Sequence, residues 1–170
     1  MTGTVRTPLP PHDQAAATAM WAGYAADHPA TAAGETDPPV SRFGDSVELA
    51  DELLGLVTQG PKRATAGLVA DFVAEREPLP RIGGHWVVCD GAGTPRVVLR
   101  STELRVGVLE SVDDAFAWDE GEGDRSRAYW LAAHRDFFAR MCATRGTELT
   151  DDLEVVFERF RVVWPPALAD

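Results

Sequence analysis

Apolar and polar positions alternate along this chain in two rhythms. From Asp13 to about Ala26 the residues are Ala-rich, with Trp21 and Tyr24 one helical turn apart, and this predicts a helix. Val47, Ala50, Leu53, Leu54 and Val57 form the apolar stripe of a second helix. Asp45 is its expected cap, Glu48 completes a capping-box pattern, and Gly60-Pro61 ends it with a left-handed glycine. Ala64 to Val69 can enter a strand, and residues 71–84 are charged and then turn-like. His85 to Cys89, Arg96 to Thr102 and Leu104 to Leu109 predict strands, the first closed by the turn Asp90-Gly91-Ala92-Gly93. Ser111 to Trp118 predicts a short helix. A long helix follows from Arg125 to Thr144, with Asp124 as its cap and Trp130, Ala133, Phe137 and Met141 on its apolar face. Leu153 to Trp164 is a last, β-rich run. Interleaved helices and short strands of this kind give an α+β domain, a small mixed sheet or barrel flanked by helices. Residues 1–10, rich in Pro and Thr, are expected to be a loose arm.

Composition narrows the function. No apolar run is long enough to span a bilayer, and residues 1–6 lack a signal-like apolar core, so a cytoplasmic protein without a membrane partner is expected. Cys89 and Cys142 lie in apolar runs, with no metal-ligand spacing around them, and read as buried free thiols. The formal charge of −11 opposes broad binding to a nucleic-acid backbone. It leaves room for a small nucleoside or one short basic groove. His12, His28, His85 and His134 are scattered and form no triad or metal pattern. His134, on the long helix, reads as structural or exposed.

Candidate chemistry gathers around the single lysine. Lys62 is the one Lys among 16 cationic residues, in Gly60-Pro61-Lys62-Arg63-Ala64-Thr65. Arg is always protonated, whereas a desolvated Lys can lose its proton and act as a base. Thr65, three residues on, carries a hydroxyl that is a poor nucleophile unless a base stands beside it. A helix-end cation and a plain strand residue explain the same pair equally simply. The loop Asp119-Glu120-Gly121-Glu122-Gly123-Asp124 offers carboxyl groups for acid–base work, but its spacing is not that of a calcium loop. Tyr129 and Arg159 are core or surface groups by default, and stacking or pocket-facing groups if a ligand is bound.

These stretches, taken in order, resemble the ASCH domain family. The matching segments are Phe43-Gly44-Asp45, Gly60 to Ala66, Leu79 to Gly83, Glu120 to Ser126 with Tyr129-Trp130, and Phe157 to Val163, over roughly residues 40–164. The resemblance implies a PUA-like fold, a small β-barrel with flanking helices, over residues 41–166; the arm and helix read in residues 1–40 precede it. It also implies one of two activities. Some members are amidohydrolases that remove an acyl group from acetylated cytidine, described with a Lys, a Thr nucleophile and a Glu. Others are RNA-binding or ribonuclease modules. By motif, Lys62 and Thr65 match the Lys and Thr of GxKxxT, and Glu120 matches the Glu, with Glu122 as the alternative. The implied machinery is Lys62 as base, Thr65 as nucleophile and Glu120 as the group that protonates the leaving amine or holds the base. Glu122, Tyr129 and Arg159 would bind substrate. No metal or cofactor is called for. A nucleoside-like substrate is the expected partner, and short RNA the alternative. Where the pattern runs GxKxxTxR this chain has Gly67 in place of Arg, which leaves the substrate open.

Overall fold

The computed structural model describes residues 6–170 of the chain; Met1 to Val5, half of the expected arm, lie outside them. The element order is α1 (Gln14–Asp27), β1 (Val40–Ser41), α2 (Val47–Gln59), β2 (Ala64–Leu68), α3 (Val69–Glu75), β3 (His85–Cys89), β4 (Pro95–Val108), a 3₁₀ turn (Leu109–Ser111), α4 (Asp114–Glu120), α5 (Arg127–Thr144) and β5 (Glu154–Trp164). The strands form one five-stranded sheet in the order β1-β3-β4-β5-β2. β1 pairs parallel with β3, and the β3–β4 and β2–β5 ladders are antiparallel. The sheet is open, with β1 and β2 as its edges, so the expected closed barrel is corrected to an open mixed sheet with helices. Closure would need the two edge strands to pair, and the strand order holds no such ladder among the described residues.

The chain divides into two compact units. The first holds the described residues up to Gly60 together with 83–100 and 161–170. The second holds 61–82 and 101–160. In the first unit, Asp13 caps α1 by accepting from the Ala16 amide at 2.9 Å. Trp21 and Tyr24 of α1 are buried with Val87 and Val98 of β3 and β4, so this helix belongs to a core. α2 is capped by Ser46, whose Oγ accepts from the Leu49 amide, and not by Asp45, which pairs with Arg6. Glu48 takes the Thr7 amide and hydroxyl in place of closing a capping box. Gly60 is extended (φ −166°) where a left-handed cap was expected.

The second unit packs α4 and α5 on the inner residues of β2 and β5. Ala64 and Leu68 of β2, Val155 and Phe157 of β5, Phe116 of α4 and Trp130 and Phe138 of α5 form one buried cluster. Phe116 meets Phe157 edge-to-face at 5.1 Å, a geometry worth about 0.5–1.5 kcal/mol beyond area burial. Three boundaries differ from expectation. β4 runs unbroken through Thr102-Glu103, because these polar residues lie on exposed positions of a continuous strand. α3 takes up Val69 and the charged start of the segment 71–84, where no helix was expected. α5 is capped by Ser126, while Asp124 accepts from the Ser126 amide. Its buried residues are Trp130, His134, Phe138 and Cys142, four apart, one step round from the stripe expected.

Candidate active site

The candidate side chains all fall in the second unit, where α4 ends against the start of β2. The Arg63 amide donates to the Asp119 carbonyl at 2.8 Å, and the Phe160 amide donates to the Arg63 carbonyl at 3.0 Å. The lysine segment is thereby stitched to both α4 and β5. Gly121 makes the approach possible. It terminates α4 at φ 73°, and a Cβ there would come 2.8 Å from Pro61 Cγ and 3.0 Å from the Lys62 nitrogen. Only glycine combines that backbone angle with that contact. Gly123 (φ 55°) plays the same part for Tyr129, whose ring lies where a Cβ would stand.

This junction brings Lys62, Glu120 and Glu122 together. Lys62 Nζ donates to Glu122 Oε1 at 2.6 Å and lies 3.5 Å from Glu120 Oε2. The Lys62 side chain is 1% exposed and that of Glu120 0%. A fourth group, His134 of α5, places Nε2 3.3 Å from the same Glu120 oxygen. Both carboxylate oxygens of Glu120 are buried, and Lys62 and His134 both approach its Oε2.

Taking such charges out of water costs several kcal/mol per ion, and packed apolar residues would be no less stable. A buried ionic cluster is therefore the kind of arrangement that marks a working site. Its internal balance is clear in direction. Burial pushes the Lys62 ammonium toward losing its proton, but Glu120 and then Glu122 outweigh it and hold the pKa above the ordinary value. Burial would raise the Glu120 carboxyl, yet Lys62 and then His134 hold it at about 2. Burial likewise opposes a charged His134, and Glu120 raises its pKa in spite of that. The resting Lys62 is thus an ammonium, and burial alone does not make it the free base anticipated from its type.

The other expected residues stand elsewhere in the unit. Thr65 is half-buried on β2. Ala64, Ala66 and Leu68 turn into the hydrophobic cluster, so Thr65 between them projects from the other face of the strand. Directly opposite it in the ladder is Glu158, a buried carboxylate that accepts from Ser101 Oγ. Arg159 Nε donates to Asp119 Oδ2 at 2.8 Å, its Nη1 pairs with Glu103, and its guanidinium lies 5.3 Å over the Phe116 ring. Tyr129 is 44% exposed at the start of α5. Sequence reasoning missed His134 as a member of the site. Its signal was the four-residue spacing from Trp130 to Phe138, which makes it a core position with a polar occupant. Among the described residues no group of three or more His, Cys, Asp or Glu is arranged to hold a metal ion. Cys89 and Cys142 are free and buried, and burial pushes the Cys89 thiol up to about 11.

An open five-stranded α+β sheet, with a buried lysine–carboxylate cluster where a helix meets an edge strand, defines the class. The ASCH domain family model matches residues 39–164, and the chain belongs to that family. Among solved structures it is similar to an ASCH domain from Lactobacillus crispatus, with 28% identity and a TM-score of 0.78 over 89% of this chain and 96% of that one. It is similar also to a protein of Enterococcus faecalis, with 28% identity and a TM-score of 0.77 over 87% and 88%. No curated protein matches the chain. No helix among the described residues is long and apolar enough to cross a membrane.

Proposed function

We propose that this ASCH domain is a small amidohydrolase that removes an acyl group from the exocyclic amine of a pyrimidine nucleoside, acetylated cytidine being the type substrate. The observation that carries the reading is the Lys62–Glu120–Glu122 cluster, in which Lys62 and Glu120 are fully buried and Lys62 stands three residues before the Thr65 hydroxyl. In this mechanism Thr65 Oγ attacks the acyl carbon and Lys62 takes its proton. The resting ammonium is first relieved of a proton across the 2.6 Å contact to Glu122. The ion pair and its neutral amine–acid form differ by that single transfer, and burial, which opposes the charged Lys62, lowers the cost of reaching the neutral form. Glu122, now an acid, protonates the nitrogen as the C–N bond breaks. Water then cleaves the Thr65 ester, its proton passing to the same relay and on to the released alkoxide. Glu120, held ionised, keeps the base in place. The Thr65 hydroxyl has to reach Lys62 Nζ directly or through one water.

A second reading, an RNA-binding or ribonuclease module using the same groove, draws on the aromatic surface beside the site. Trp118 is 55% exposed with the Arg125 guanidinium 3.7 Å over its ring, and exposed bases stack on such platforms. The charge of −11 weighs against it for long RNA. Incubation with a panel of acylated cytidines and short RNAs, read by mass spectrometry, decides between the two. Free cytidine with RNA left intact is the expected result. Shortened RNA with the nucleosides untouched would reverse the order.

A further inference from the structure

The mechanism above makes no use of His134, and its surroundings constrain it closely. Nδ1 lies 3.0 Å from the Trp130 carbonyl oxygen. A carbonyl can only accept, so Nδ1 carries a proton. Nε2 faces Glu120 Oε2 at 3.3 Å. A neutral ring with its proton on Nδ1 would turn the Nε2 lone pair toward that carboxylate, which the Lys62 ammonium on its other contact keeps ionised. Both ring nitrogens are protonated in the arrangement that leaves no like pair facing. The Trp130 ring lies flat on the imidazole, centroids 3.8 Å apart and planes 12° from parallel, and the face of an indole favours a cation there. The charged groups turned toward the ring are Glu120, Glu122 and Lys62.

We infer that His134 is a positioning residue of this site, a second cation that with Lys62 clamps the Glu120 carboxylate. Glu120 between two cations stays an anion, orients Lys62 and is withdrawn from proton donation, which leaves the proton traffic to Lys62 and Glu122. The cluster of Lys62, Glu120, Glu122 and His134 is then neutral as a whole. Without His134 it would carry one excess negative charge beside the buried Lys62 and Glu120.

The kinetic consequence rests on the amidohydrolase reading, whereas the protonation state does not, and the two are measured separately. Ring-nitrogen NMR of the full chain labelled with ¹⁵N-histidine reads the protonation directly, the His134 signals being assigned by their loss in His134→Gln. Two protonated ring nitrogens at neutral pH are expected. A neutral single tautomer would overturn the inference whatever the enzyme does. With N-acetylcytidine as probe, His134→Phe keeps the stacking but removes both donors. It is expected to lower kcat by about 10- to 100-fold with KM nearly unchanged, the range for losing the partner that orients an active group. The acid limb of kcat/KM should move to higher pH, because Glu120 loses one of the cations that depress its pKa. His134→Gln, which can still donate to Glu120, should recover part of kcat. Equal losses in both variants with an unmoved acid limb would mean that His134 only fills space. A wild-type protein without activity would retire the enzyme reading and leave the NMR result standing.

Discussion

Gly121 lies so close to Lys62 that a single added carbon would come 3.0 Å from the lysine's backbone nitrogen. That contact seats Glu120 and Glu122 on either side of a left-handed turn and turns both toward one ammonium. Gly121→Ala should cost about 1–3 kcal/mol, since it adds a Cβ to a φ of 73° as well as the clash. It should lower activity by more than the loss of folded protein explains. Denaturant midpoints and kcat measured on the same preparation check both. A variant with wild-type stability would show that the junction is looser than its geometry.

Lys62 separates charge from proton transfer. Lys62→Met leaves Glu120 buried beside His134 alone, and removing one partner of a buried pair typically costs about 3–5 kcal/mol. Lys62→Arg keeps the charge but puts a larger group into a closed space, at about 1–3 kcal/mol. It should remain folded and lose hydrolysis, because a guanidinium does not give up its proton. Thermal melts and product assays on the two variants are the check. Activity retained by the Arg variant would contradict the assignment of Lys62 as base.

Acid should weaken the fold through Glu120. Its folded pKa of about 2 lies below the ordinary value of 4.5, so its ionised form is bound more favourably in the folded state. The stability this contributes is present above 4.5 and is lost as pH falls toward 2. His134 works in the opposite sense. Its raised pKa contributes stability that is full below 6.5 and fades as pH rises through the folded value. Urea midpoints across pH should therefore fall more steeply below 4.5 in the wild type than in Glu120→Gln. Parallel slopes would remove Glu120 from the account.

Much of this architecture was legible in the chain, and the misses share a cause. α1, α2, β3 and β5 followed from periodicity because each has a run of apolar residues and a clear stop. The caps of α2 and α5 were each misplaced onto an aspartate near the serine that does the work. Asp45 is taken by Arg6, a partner 39 residues away that local pattern does not reveal. His134 reads as structural or exposed from the sequence, because Ala133, Phe137 and Met141 offer an equally good stripe one step round the helix. It is buried, with one nitrogen against the Trp130 carbonyl and the other facing the Glu120 carboxylate. Lys62 and the two glutamates were legible as residues, since their motif and the glycines around them are local. Their proton balance was not, because it depends on four side chains brought together from the segment before β2, the end of α4 with the loop after it, and α5.

The central claim is that Thr65 is the nucleophile of an amide hydrolysis driven by the Lys62 cluster. Thr65→Val keeps the shape and β-branching of this half-buried strand residue and removes its hydroxyl. The most direct measurement is release of cytidine from N-acetylcytidine, followed in parallel for the wild type and this variant, with the protein mass monitored for a transient acyl adduct. The account predicts cytidine release and an adduct on the Thr65 peptide in the wild type, and neither in the variant, with stability changed by about 1 kcal/mol or less. Release undiminished in Thr65→Val, or no release from the wild type, would contradict it.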